Sequence, residues 1–214
     1  MKIFPRDKWA LIRFGVLFAL LLGVVIGTSL PALGWHLVRY SPREGDIAFQ
    51  SLPRGDLVNA IEGITSSPFS HCGVVMKSSD GSWVVHESIG MVRETPLYLW
   101  IVRGRGARID VWRPRDATLA DPAKLRPALT RYHGRPYDFS YAPGDDKTYC
   151  SELVFLAYRD ANGAELGTWE KLGDLNWRPF ERFIRDTEGG KLPLDRPMIS
   201  PVGLTRSPLV EKVY

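Results

Sequence analysis

Lys147-Thr148-Tyr149-Cys150-Ser151-Glu152-Leu153-Val154-Phe155-Leu156-Ala157-Tyr158 is the stretch on which the fold turns. It passes from a polar approach, Asp145-Asp146-Lys147-Thr148, into an apolar run with helical character, and Cys150 stands at the junction. The first turn of a helix leaves backbone N–H groups free, and the helix dipole adds positive potential there. A thiolate is held at low cost in that position, so Cys150 is a candidate nucleophile. The competing reading is a buried structural cysteine. The polar approach favours a reactive one.

A thiol nucleophile needs a base. His71 opens His71-Cys72-Gly73-Val74-Val75-Met76, a buried-strand pattern reached through the loop Thr65-Ser66-Ser67-Pro68-Phe69-Ser70. Lys77 to Ser82 carries an Asp80-Gly81 step and reads as a hairpin turn. The return strand, Trp83-Val84-Val85-His86-Glu87-Ser88, then lies beside His71. Neighbours on a strand face opposite sides, so only one of His86 and Glu87 can serve His71. Glu87 would fix the imidazole tautomer and support its positive charge. The opposite assignment, with His86 facing the site, stays open.

The same alternation argues against a disulfide. If His71 faces Cys150, then Cys72 points away from it and is most simply a small core residue. His71, Cys72, His86 and Cys150 are all zinc-ligand types, but their spacing forms no metal-binding pair, so no metal and no cofactor are expected. Phosphate-loop and dinucleotide motifs are absent from the sequence.

Outward from these strands, Gly45 to Phe49 reads as a strand with Asp46 in a turn. Asp56 to Ile64 reads as a helix with Asp56 as N-cap. Pro96–Val102 and Phe180–Asp186 read as short helices, Ala107–Trp112 as a third strand and Pro122–His133 as a helix. Arg103, Arg105 and Arg108 read as a solvated loop. From Asn162 onward the chain wraps the domain.

In this order, Gly45-Asp46-Ile47-Ala48-Phe49, Ser70-His71-Cys72-Gly73-Val74-Val75, Val85-His86-Glu87-Ser88, Gly134-Arg135-Pro136-Tyr137-Asp138 and Tyr149-Cys150-Ser151-Glu152-Leu153-Val154 resemble the YiiX/YebB-like hydrolases. These are circularly permuted papain-fold proteins of the NlpC superfamily. The resemblance spans roughly residues 43 to 160, with a fainter echo at Ile199-Ser200-Pro201. Ordinary papain-like enzymes place cysteine before histidine; here His71 precedes Cys150, as permutation requires. The resemblance implies an α+β fold, an antiparallel sheet packed on helices that include the cysteine helix. It also implies a thiol hydrolase or acyltransferase with Cys150 as nucleophile, His71 as base and Glu87 as third member. Tyr149, the Cys150 backbone amide and Tyr137 are candidate oxyanion or substrate contacts.

The 214 residues, 44% hydrophobic and 24% charged, suit one globular domain with an appendage. Lys2, Arg6, Lys8 and Arg13 against Asp7 account for most of the formal net charge of +4, which argues against a nucleic-acid partner. An uncharged apolar run then extends to Trp35. Residues 1–35 thus read as a signal peptide or an apolar transmembrane helix, ahead of a hydrolase domain at 36–214. The length of the run favours a retained anchor through residues 9–35, with the domain in the periplasm; cleavage would release it there. An external site makes cell-wall peptide the first expected substrate. An acylated lipid is the second, and a non-catalytic peptide- or lipid-binding module is the alternative of another class.

Overall fold

The computed structural model describes residues 39–144 and 146–214, and, before them, residues 15–16 and 34–36. The expected apolar helix falls outside the described residues except at 15–16 and 34–35. Among the described residues, no helix is long and apolar enough to cross a membrane.

Strands β1 (Asp46–Gln50), β2 (His71–Lys77), β3 (Trp83–Ile89), β4 (Met91–Pro96), β5 (Asp110–Pro114) and β8 (Val210–Lys212) form one sheet in the order β4-β3-β2-β1-β5-β8. Every neighbouring pair is antiparallel. β6 (Glu170–Lys171) and β7 (Pro197–Met198) pair separately. The helices are α1 (Asp56–Ile64), α2 (Leu97–Arg103), α3 (Pro122–Thr130), α4 (Cys150–Asn162), α5 (Glu181–Thr187) and α6 (Pro201–Thr205).

Alternation along the strands divides the core in two. Ile47, Phe49, Cys72, Val74, Met76 and Val84 meet Leu125 and Leu129 of α3 and Leu153, Val154 and Phe155 of α4. Ala48, Val75, Val85 and Val111 meet Leu97, Trp100 and Ile101 of α2. Helix α4 is buried on all sides from Cys150 to Tyr158, as its continuous apolar run requires. Each of its large apolar side chains contributes about 1.5–3 kcal/mol of burial. Gly163, left-handed at φ 71°, ends the helix.

Several sequence expectations shift. Asp56 is the first helical residue rather than the N-cap; Gly55, in an extended conformation, takes the cap without a side-chain bond. Asp46 is not a turn residue but begins β1, fully buried. There it accepts from Tyr40 (2.7 Å), the Arg43 amide (2.9 Å) and Arg113 (2.6 and 2.8 Å). The third expected strand starts later, at Asp110, because a short 3-10 turn occupies Arg105–Ala107. β4 and β8, unmarked by alternation, form because the sheet offers them partners.

Candidate active site

Cys150 is the first residue of α4, and its N-cap, Tyr149, supplies no side-chain hydrogen bond. The first-turn amides therefore remain available to an anion. Two polar ties fix this helix start. The Ile199 amide donates to the Tyr149 hydroxyl (3.0 Å), and Ser151 Oγ donates to the Ile199 carbonyl (2.8 Å). Ser88 Oγ donates to the Thr148 carbonyl (2.7 Å), bringing the chain before Cys150 against the end of β3. Registered pairing between β2 and β3 stops at Val74↔His86, so their ends are free to receive it.

His71 lies at that end of β2. Its Nε2 is 2.5 Å from Glu87 Oε2, which leaves Nδ1 for the thiol. Gly73 makes the crossing possible: a Cβ there would stand 2.6 Å from the His86 carbonyl oxygen and 3.3 Å from Glu87 Cβ. Glu87 is fully buried and saturated. Besides His71 it accepts from Thr95 Oγ1 (2.6 Å) and, in bidentate fashion, from Arg103 (2.8 and 2.5 Å). The two-pronged Arg–carboxylate geometry is the strong form of this interaction. Arg103 therefore is not part of a solvated loop; it ends α2, which packs across the sheet and delivers the guanidinium to Glu87. Arg105 likewise is engaged, with Glu62 at 2.8 Å.

The charges reinforce one another. Burial opposes protonation of His71, but the hydrogen bonds and charges of Cys150 and Glu87 outweigh it and raise the ring to about 9. Burial also opposes ionisation of Glu87, yet His71 and Arg103 hold it well below the usual carboxylate range. Cys150 is held well below the ordinary thiol value. The Cys72 side chain is the largest cause, burial opposes, and His71 adds to the lowering. The shifts of Cys150, Glu87 and His71 all favour the ion-pair form, a thiolate and a carboxylate facing an imidazolium beside the Arg103 guanidinium.

Cys72 requires a correction. Both cysteines are free thiols, but Cys72 does not point away from Cys150. It shares the α4-side core with Cys150, and its thiol is pushed well above its ordinary value by burial and then by the Cys150 anion. Alternation fixed the side of β2 on which Cys72 lies; it did not show that Cys150 sits at the strand end, within reach of both Cys72 and His71.

The two tyrosines differ in placement. Tyr149 is fully buried with its hydroxyl committed to Ile199, so it braces the helix start. The Tyr137 hydroxyl pairs with Tyr141 at 2.8 Å, and Tyr137 lines a pocket shared with His71. A second pocket opens beside Cys150. Leu57, Ile61, Phe139, Phe183, Met198 and Ile199 give it a mainly apolar wall. Arg103, Thr95 and the α1 and α5 wall residues escaped sequence reasoning, because no local pattern marks them.

His86 lies on the other face of β3, buried, with both ring nitrogens lacking a hydrogen-bond partner among the described residues. Burial, then His133 and Arg126, push it down to about 4, so the ring is neutral.

Comparison with known proteins places the fold in a family. The family model described as "Permuted papain-like amidase enzyme, YaeF/YiiX, C92 family" matches residues 41–214. The uncharacterized protein YiiX of Escherichia coli (strain K12) is 32% identical over 188 residues, covering 86% of this chain and 90% of that protein. A crystal structure titled as that of metalloprotein yiiX from Escherichia coli O157:H7 superposes with a TM-score of 0.76 at 32% identity. It covers 82% of this chain and 98% of that chain.

Proposed function

Because the chain belongs to the YaeF/YiiX C92 family of permuted papain-like amidases, we propose that it is a cysteine amidase using Cys150, His71 and Glu87 on substrates with an apolar acyl group. The Cys150 thiolate attacks the amide carbonyl carbon, and the carbonyl electron pair moves to an oxyanion at the free amides of α4. Collapse of this intermediate breaks the C–N bond as protonated His71 gives its proton to the leaving nitrogen. His71, now neutral, deprotonates a water that attacks the thioester, and Cys150 leaves as thiolate. Glu87, clamped by Arg103 and Thr95, orients His71 and stabilises its charge throughout.

The observation that carries the substrate reading is the apolar pocket with Cys150 in its wall. A cell-wall peptide, the first expectation from the sequence, is rich in charged and polar groups, and this wall offers them few partners. An acyl chain matches it. An apolar segment at residues 9–35, as anchor, would hold such a cleft near a bilayer on the periplasmic side.

Two assays test this. The full chain is incubated with N-acyl amides of increasing chain length, acyl-ester lipids and muropeptides. Amide cleavage that rises with chain length and falls about 1,000-fold or more in Cys150→Ala is expected. Preferred cleavage of muropeptides would overturn the acyl reading. Cys150 alkylation at neutral pH should outpace that of a free thiol and lose the advantage in His71→Ala. Equal rates would favour a binding module without turnover.

A further inference from the structure

On the face of β3 opposite Glu87, three potential ligands converge without any role in the chemistry above. His86 and Glu94 are register partners across β3 and β4. Their Nε2 and Oε1 atoms are 3.4 Å apart. His133, on the turn after α3, brings its ring to 5.4 Å from that of His86, centroid to centroid. Its position is set by backbone, since the Gly134 amide donates to the Val92 carbonyl (2.9 Å) and the Val92 amide to Arg135 (2.9 Å). The turn is thereby stitched to β4 two residues before Glu94. One ligand atom from each of the three lies within 4.8 Å of the others.

We propose that His86, Glu94 and His133 form a binding site for a zinc-type divalent cation, separate from the Cys150 centre. Two imidazoles and one carboxylate suit Zn²⁺ and leave a fourth position for water. Ligands at ~2.1 Å in a tetrahedron stand about 3.4 Å apart, which is the His86–Glu94 separation found here. His133 is exposed, so a change of side-chain rotamer brings its nitrogen into the same shell. The buried His86 ring is the second sign: neither nitrogen has a hydrogen-bond partner among the described residues, and the Glu94 carboxylate, 3.4 Å from Nε2, only partly offsets the desolvation cost. Arg126, the cation facing His86, is occupied by Glu44 at 2.6 Å and by the Lys77 carbonyl. Glu94 and His133 both reach solvent, which gives the ion an entry path.

The test titrates the chelator-stripped full chain with Co²⁺, then with Zn²⁺ in competition with a chromophoric chelator. Expected is one equivalent of Co²⁺ with tetrahedral visible absorption and no thiolate charge-transfer band, displaced by Zn²⁺. Glu94→Gln and His133→Ala, both at exposed positions, should each weaken binding about tenfold or more. No uptake by the wild type would overturn the proposal, as would unchanged affinity in the double variant. So would a thiolate band that disappears in Cys150→Ala, which would place the ion on the catalytic sulfur instead.

Discussion

Glu87 and His86 are adjacent in the chain and equally buried, yet their surroundings are opposite. Glu87 accepts four hydrogen bonds, from His71, Thr95 and twice from Arg103. The ring of His86 has none among the described residues. One face of β3 is a closed electrostatic circuit, and the other keeps an open valence. A buried polar group is inexpensive only when its partners are in place, so the two faces should answer differently to the same kind of change.

The largest contrast is in catalysis. Glu87→Gln keeps the shape but removes the charge that supports protonated His71. Its kcat/KM on the best amide substrate should fall about 1,000- to 10,000-fold, as when a triad carboxylate becomes an amide. A loss under tenfold would reduce Glu87 to a structural role. Next comes stability on the same face. Arg103→Met leaves Glu87 buried with one cation fewer, and urea unfolding should show a loss of about 3 kcal/mol. A wild-type midpoint would mean that the guanidinium adds little to the circuit.

A smaller effect is expected from pH. His71 is raised from 6.5 to about 9 in the fold, so the folded state holds that proton more tightly than the unfolded chain. Its contribution to stability is complete below pH 6.5 and declines as pH rises through about 9. Cys150, lowered in the same fold, gains stability over that interval, so the two slopes oppose and the wild-type urea midpoint should stay nearly level from pH 6.5 to 9; a steep decline there would mean that Cys150 keeps its proton in the fold. The smallest change is expected at His86. In chelator, His86→Leu removes two unpaired nitrogens and should lie within about 1 kcal/mol of the wild type, or above it. In excess zinc, thermal unfolding should rise for the wild type and not for the variant. A variant much less stable in chelator would mean that the His86 ring packs better than its unpaired nitrogens suggest.

What was legible in the sequence follows from local rules. The apolar run after Cys150 has only one way to bury itself, as a helix beginning at that residue. The alternation in Trp83–Ser88 separates His86 from Glu87, although it does not say which of them meets His71. The order of His71 and Cys150 selected the permuted arrangement. The companions of Glu87 were hidden because they come from β4 and the far end of α2, and three scattered arginines look alike in a linear chain. The misplacement of Cys72 has the same origin. Period-two alternation states on which side of its strand a residue lies, but not what packs against that strand's end.

By itself, then, the sequence determined most of the elements around the site, the candidate nucleophile and base, and their order, since helix starts and strand faces obey short-range sterics and burial. Only the tertiary structure decided the partners. It set Arg103 on Glu87, Cys72 against Cys150, an apolar wall beside the sulfur, and His133 over His86 and Glu94. Those are contacts between distant segments, fixed by how α2, α3 and α4 settle on the two faces of one sheet, and no local pattern carries that information.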